Sequence, residues 1–246
     1  MGTFQFKKFS VVNERSAMKV NTDGVLLGAV MAIKPEDRRL LDIGTGTGTI
    51  ALMAAQRLAD VQGHSAYLHI SAIDIDEPSA TEAALNFAAS PWSNSLQAYN
   101  LSLDQYADTL AEDARFDLIF SNPPYFEDSL TAPDQRKSTA RHTSDGLSYR
   151  DIFDFAAKRL SENGRVAFVL PSDQELQLCR YARMSGLHLF RMTKVRTVPR
   201  KAPSRMIAEF SRERCDAPQE DIITIQNEGK YTSEYLSLVK EFYLFA

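Results

Sequence analysis

A chain of 246 residues, 44% hydrophobic and 24% charged, is long enough to bury one α/β core and too mixed in composition for a disordered or fibrous class. No apolar run reaches the roughly 18 residues that span a membrane. Residues 1–12 lack an apolar signal core with a small-residue cleavage site, so a cytosolic protein with no membrane partner is expected. Cys179 and Cys215, the two cysteines, are far apart, and His64, His69 and His188 have no ligand spacing, so neither a disulfide framework nor a metal site is expected. The net charge of −4 does not suit a uniformly basic nucleic-acid binder, yet residues 191–205 carry six Lys or Arg and no acid.

Residues 3–34 read as a small extended pair followed by a helix beginning near Thr22. From residue 40 onward strands and helices alternate, as a doubly wound parallel sheet requires. Strands are expected over 39–43, 68–75, 96–101, 115–121 and 165–170. Helices are expected over 49–58, 78–89, 149–160 and 173–184, with Asn163-Gly164 closing the third of these. The runs 187–198 and 205–212 leave no room for a helix between them, so they should pair antiparallel. Residues 214–246 read as an acidic linker, a short strand over 222–225 and a helix with an apolar end. A single domain follows: an N-terminal extension to residue 38, a core over 39–213 and a C-terminal extension.

The strongest local signal is Leu41-Asp42-Ile43-Gly44-Thr45-Gly46-Thr47-Gly48, between a strand and a helix. Glycines are needed where the backbone turns tightly and where a ligand presses on the main chain. Its third glycine follows the second after one residue, whereas the dinucleotide fingerprint has two there. The loop therefore resembles motif I of S-adenosylmethionine methyltransferases. That resemblance implies a seven-stranded, Rossmann-like class I methyltransferase sheet ending in an antiparallel hairpin. It also implies that Gly44, Thr45, Gly46 and Gly48 hold the methionine part of the cofactor while Asp42 orients its ammonium. Asp74 ends the second strand and is placed to accept the ribose hydroxyls. Asp76, two residues on, reads as an acid at a helix N-terminus. Thr22 reads equally as a helix cap and as a contact to the cofactor carboxylate. The cofactor's adenine amine is often held by an Asp after the third strand; here Ser102 stands in that place, unless the match slips to Asp104.

Asn122-Pro123-Pro124-Tyr125 directly follows the fourth strand and resembles motif IV of methyltransferases acting on planar nitrogens. Such a nitrogen is a poor nucleophile because its lone pair is delocalised. The Asn122 side-chain oxygen and the Pro123 carbonyl can each accept one N–H and turn the lone pair toward a methyl donor. Tyr125 offers a ring on which a base can stack. Asn122 thus serves both the catalytic and the cofactor side of the site.

This motif serves adenine N6, guanine N2 and the glutamine side chain of proteins. The segment Met18-Lys19-Val20-Asn21-Thr22-Asp23-Gly24, the Ala140-Arg141-His142 segment and the C-terminal Tyr231-Thr232-Ser233-Glu234 with Phe242-Tyr243-Leu244-Phe245 make the chain resemble the bacterial tRNA1(Val) adenine-37 N6-methyltransferase family. The resemblance spans nearly the whole chain. It implies S-adenosylmethionine as cofactor and an adenine in the tRNA anticodon loop as substrate. The N-terminal strands and the apolar C-terminal tail are expected to seal the domain, which makes the chain a monomer. RNA contact is then expected from Arg191, Lys194, Arg196, Arg200, Lys201 and Arg205 around the last hairpin, and from Arg136, Lys137 and Arg141 in the loop after Tyr125. A protein-glutamine enzyme would need a larger substrate domain before the first strand. An rRNA guanine-N2 enzyme is set aside by family resemblance alone. A non-catalytic RNA-binding protein would be expected to have lost one of the two motifs.

Overall fold

The computed structural model describes residues 2–62, 67–123 and 147–246. In chain order the elements are β1 (Thr3–Gln5), β2 (Ser10–Val12), α1 (Thr22–Val30), β3 (Arg39–Ile43), α2 (Thr49–Gln62), β4 (His69–Asp74), α3 (Glu77–Ala88) and β5 (Leu96–Asn100). They continue with α4 (Leu103–Thr109), β6 (Phe116–Ser121), α5 (Tyr149–Arg159), β7 (Leu160–Pro171), α6 (Glu175–Met184), β8 (His188–Arg196) and β9 (Arg205–Ser211). β10 (Gln219–Thr224), β11 (Gln226–Asn227), β12 (Lys230–Tyr231) and α7 (Ser233–Val239) complete the chain.

The main sheet has the order β10-β8-β9-β7-β6-β3-β4-β5. β3 pairs parallel with β4 on one side and with β6 on the other. The chain thus winds one way through β4 and β5 and then crosses back to β6 and β7. The crevice between β3 and β6 is the switch point at which open α/β sheets bind ligands, outside the carboxyl ends of the strands. Neighbouring residues along each inner strand face opposite layers, as the period of two demands. Leu40, Leu118 and Ala167 join the core beneath α1 and α2, while Leu41, Ile119 and Phe168 join the core beneath α5.

The antiparallel hairpin forms as expected, with β9 between β7 and β8. The sheet nevertheless has eight strands among the described residues, not seven. β10 adds parallel to β8, with Ile222 opposite Lys194 and Ile223 opposite Val195. It covers a backbone edge that would otherwise stay open, and Ile223 packs in the same core as Tyr235 and Val239 of α7. The expected strand over 222–225 is therefore a fragment of a sheet strand.

Two further local expectations are corrected. Asn163-Gly164 does not cap a helix: α5 ends at Arg159 and both residues lie in β7. A β carbon on Gly164 would stand 2.8 Å from the Phe116 carbonyl oxygen, so this glycine permits close strand approach at an irregular register between β6 and β7. The helix α4 is absent from the sequence reading; Ser102 and Gln105 form a reciprocal capping box at its start.

The chain ends seal one another. The Lys7 N–H donates to the Phe242 carbonyl at 2.8 Å, and the Phe6 and Tyr243 rings stack with centroids 5.9 Å apart. No described helix is long and apolar enough to cross a membrane.

Candidate active site

The glycine loop leaves β3 at the switch point. Gly44, Gly46 and Gly48 have φ of +72°, +56° and +80°, a region that side chains other than glycine's rarely enter. A β carbon on Gly48 would also sit 2.5 Å from the Phe87 ring, so the third glycine brings the loop onto α3. Among the described residues a β carbon on Gly44 would meet only Leu147, at 3.9 Å, which leaves room beside the loop for a ligand.

Hydrogen bonds set the loop's course. The N–H groups of Gly44 and Thr45 both donate to the Ile73 carbonyl at the end of β4, at 2.9 and 3.0 Å. The Gly46 N–H donates to Asp74 Oδ2 at 2.8 Å, and the Asp76 N–H donates to Asp74 Oδ1 at 2.9 Å. Burial raises the Asp74 pKa. Asp76 is the α3 N-cap, accepting from the Ser79 N–H, as the sequence suggested. Beneath the loop Thr45 Oγ1 donates to Asp42 Oδ2 at 2.7 Å. Asp42 is fully buried, and burial pushes its pKa up to about 7.

From the other side of the switch point, Ser121 Oγ donates to the Ile43 carbonyl at 2.7 Å, fastening the β6 tip to β3. This places Asn122, only 6% exposed, at the loop's edge. A cleft forms there from Met18, Asn21, Gly24, Gly44, Gly46 and Asn122 among its walls. Pro123 is buried beside it. Tyr125 lies outside the described residues, as do Arg136, Lys137 and Arg141.

Three placements differ from the sequence reading. The α1 cap is Asn21, whose side chain accepts from the Gly24 N–H at 2.9 Å; Thr22 is exposed one residue later, and Asn21 rather than Thr22 lines the cleft. Ser102 uses its hydroxyl to accept from the Gln105 N–H. Arg191 points inward from the middle of β8, donating to the Val30 carbonyl at 3.1 Å and to the buried Glu209 carboxylate at 3.2 Å. It does not stand at the hairpin tip, because its register partner is Glu209, far along the strand from the turn.

The rest of the basic stretch does surround the active edge. Pro171 at the end of β7 pairs with Arg205, and Arg205 with Val195, so the turn over 197–204 projects from the edge that carries the glycine loop. Arg205 ion-pairs with Asp23 of α1 at 2.8 Å, Lys194 with Glu175 at 2.9 Å, and Arg196 donates to Thr224 Oγ1. Arg200 and Lys201 are exposed at the tip. The sequence reading missed two residues at this edge. Ile75, 78% exposed directly after Asp74, is an apolar surface beside a polar acceptor. Met18 covers the loop; the Met-Lys-Val-Asn-Thr-Asp-Gly segment was the available signal. No group of three His, Cys, Asp or Glu among the described residues is placed to hold a metal.

The arrangement matches known proteins at each level. Residues 16–186 match the family model of the methyltransferase small domain. The crystal structure of a "predicted O-methyltransferase" from Agrobacterium tumefaciens superposes with a TM-score of 0.63 at 15% identity, covering 89% of this chain and 96% of that one, a likeness of fold alone. The tRNA1(Val) (adenine(37)-N6)-methyltransferase of Parabacteroides distasonis is 42% identical over 98% of this chain and 97% of its own length. That of Bacteroides fragilis is 39% identical over the same shares. With a glycine loop and Asn122 brought to one cleft and this identity running end to end, the chain belongs to the tRNA1(Val) (adenine(37)-N6)-methyltransferase family.

Proposed function

We propose that this methyltransferase moves the methyl group of S-adenosylmethionine to N6 of an adenine in tRNA, with adenine 37 in the anticodon loop of tRNA1(Val) as its target. The observation that carries the reading is the placement of Asn122 in the same cleft as Gly44 and Gly46. The names of the relatives support the choice of base and RNA.

The cleft fits the cofactor chemically. The open side of Gly44 and the positive-φ glycines allow a ligand against the main chain. Asp74 would hold the ribose hydroxyls, exchanging its Gly46 contact for shared ones, and exposed Ile75 would lie against the adenine ring. Asp42, bonded to Thr45 beneath the loop, would in its ionised form favour the cationic ammonium. When bound, the cofactor supplies an electrophilic methyl on a sulfonium sulfur.

The protein's own part is alignment. Asn122 Oδ1 and the Pro123 carbonyl would each accept an N–H of the target amine and turn its lone pair toward the part of the cleft lined by Gly44 and Gly46. With S-adenosylmethionine held here, its sulfonium would give up the methyl group to that lone pair and leave as the neutral thioether, and the amine would release one proton to water. Alignment of this kind is worth up to roughly 7–11 kcal/mol of barrier. A loop base costs less to extrude than a paired one, and Arg200, Lys201 and the neighbouring Lys194, Arg196 and Arg205 supply charge for its backbone.

The test is methyl transfer from labelled S-adenosylmethionine to an unmodified tRNA1(Val) transcript and to the same transcript with guanine at position 37. Label in the first alone, recovered as N6-methyladenosine, is expected. Equal labelling of both would overturn the assignment of the base; label in neither, with cofactor bound, would overturn the RNA.

A further inference from the structure

Asn122 is useful only one way round. Its side-chain oxygen must face the amine, yet the amide oxygen and nitrogen are nearly the same size, and a turn about the last side-chain bond swaps them. Something beside Asn122 has to tell them apart.

Met18 sits there. Asn122 Nδ2 donates to Met18 Sδ at 3.4 Å. A thioether accepts hydrogen bonds and cannot donate them. With the amide reversed, two acceptors would face each other, and the target amine would meet an N–H instead of an oxygen.

The segment that delivers Met18 is built with unusual care for an exposed strap. Glu82, 1% exposed on α3, accepts the N–H groups of Glu14, Arg15 and Ser16 at 2.7, 2.9 and 2.9 Å. Burial alone would raise its pKa, but these three donors outweigh burial and hold it below the ordinary range. Ser79 Oγ donates to Ser16 Oγ at 3.0 Å, and Ser16 Oγ donates to the Met18 carbonyl at 3.0 Å. The Val20 N–H donates to Asn13 Oδ1 at 3.2 Å. Met18 is thus held from both sides at the cleft's edge, although its own side chain is 39% exposed and contributes little to the core.

We propose that Met18 is a positioning residue for methyl transfer, its sulfur selecting the orientation of the Asn122 amide that presents Oδ1 to the substrate amine. The inference rests on the role given to Asn122 under the proposed function.

The test is the single-turnover rate of methyl transfer at saturating cofactor and tRNA in the full-length protein, its Met18→Leu and Asn122→Asp variants and the double variant. Leucine keeps the bulk and removes the acceptor. A carboxylate at 122 has two equivalent oxygens and no orientation to select. Met18→Leu is expected to slow transfer about tenfold, the scale of a modest misalignment, with cofactor and tRNA affinity unchanged. In the Asn122→Asp background it is expected to add nothing, since a residue acting through another shows full coupling. An equal loss in both backgrounds, no loss in either, or a loss confined to cofactor affinity would overturn the role of Met18. Full activity of Asn122→Ala, which has no acceptor at all, would instead remove the reading of Asn122 on which the inference stands.

Discussion

The Gly46 N–H is bonded to the Asp74 carboxylate at 2.8 Å, so the glycine loop and the tip of the neighbouring strand are tied to each other before a cofactor bridges them. Asp74→Ala should therefore weaken the site twice, by losing the ribose acceptor and by loosening the loop. Cofactor Kd is expected to rise at least about tenfold, the value of one charged hydrogen bond, with the melting temperature of the free protein changing little. Calorimetric titration with S-adenosylmethionine reads it; an unchanged Kd would remove Asp74 from the cofactor site.

Asp42 makes stability depend on pH. The folded protein keeps this proton up to about pH 7, whereas the ordinary carboxyl value is 3.8. Between those values the folded state binds more protons than the unfolded chain, so the Asp42 contribution to stability falls as pH rises and is level above about 7. Asp42→Asn removes that slope. Its stability relative to the unmodified protein should be higher at pH 8 than at pH 5 by on the order of a few kcal/mol, measured by urea unfolding. A difference independent of pH would mean Asp42 is ionised throughout.

Asn122→Ala should lower kcat by about two orders of magnitude, the usual loss on removing one preorganised polar group. Cofactor affinity should stay within a few-fold. Equal losses of rate and of cofactor binding would show that Asn122 supports the pocket and does not hold the amine.

Arg200→Ala with Lys201→Ala removes the two exposed charges of the hairpin tip. The tRNA KM should rise, and the slope of log affinity against log salt should flatten by about 0.7–0.9 for each phosphate that is no longer neutralised. Cofactor Kd should not move. A slope identical to that of the unmodified protein would assign the tip another task.

Glu209→Ala tests the inward arginine. Glu209 is fully buried, bonded to Arg191 and to the Ala32 N–H, and α1 ends on carbonyls held by Arg57 and Arg191. Removing one member of such a pair should destabilise by about 3–5 kcal/mol. The salt slope of tRNA binding should be untouched, which separates Arg191 from the RNA face; thermal unfolding and binding at two salt concentrations decide it.

The sequence by itself determined the parts whose chemistry is local. Gly44, Gly46 and Gly48 announce a backbone that only glycine adopts easily, and the run ending at Ser121 before Asn122-Pro123 announces a buried strand stopped at a reactive tip. The glycine loop and the Asn122-Pro123 tip sit where their order along a doubly wound chain puts them, so the cleft was legible in the residues alone. Tertiary structure decided what depends on which face of an element is covered and by what. Arg191 and Arg200 look alike in a basic run, but one lies opposite Glu209 under α1 and the other at an exposed turn. β10 joins the sheet because β8 offers an open edge, a fact about a strand some thirty residues earlier. Glu82 gathers three N–H groups from the N-terminal strap across more than sixty residues, and Met18 reaches Asn122 across a hundred. Such contacts are set by packing between segments far apart in the chain, and the spacing of residues along it carries no trace of them.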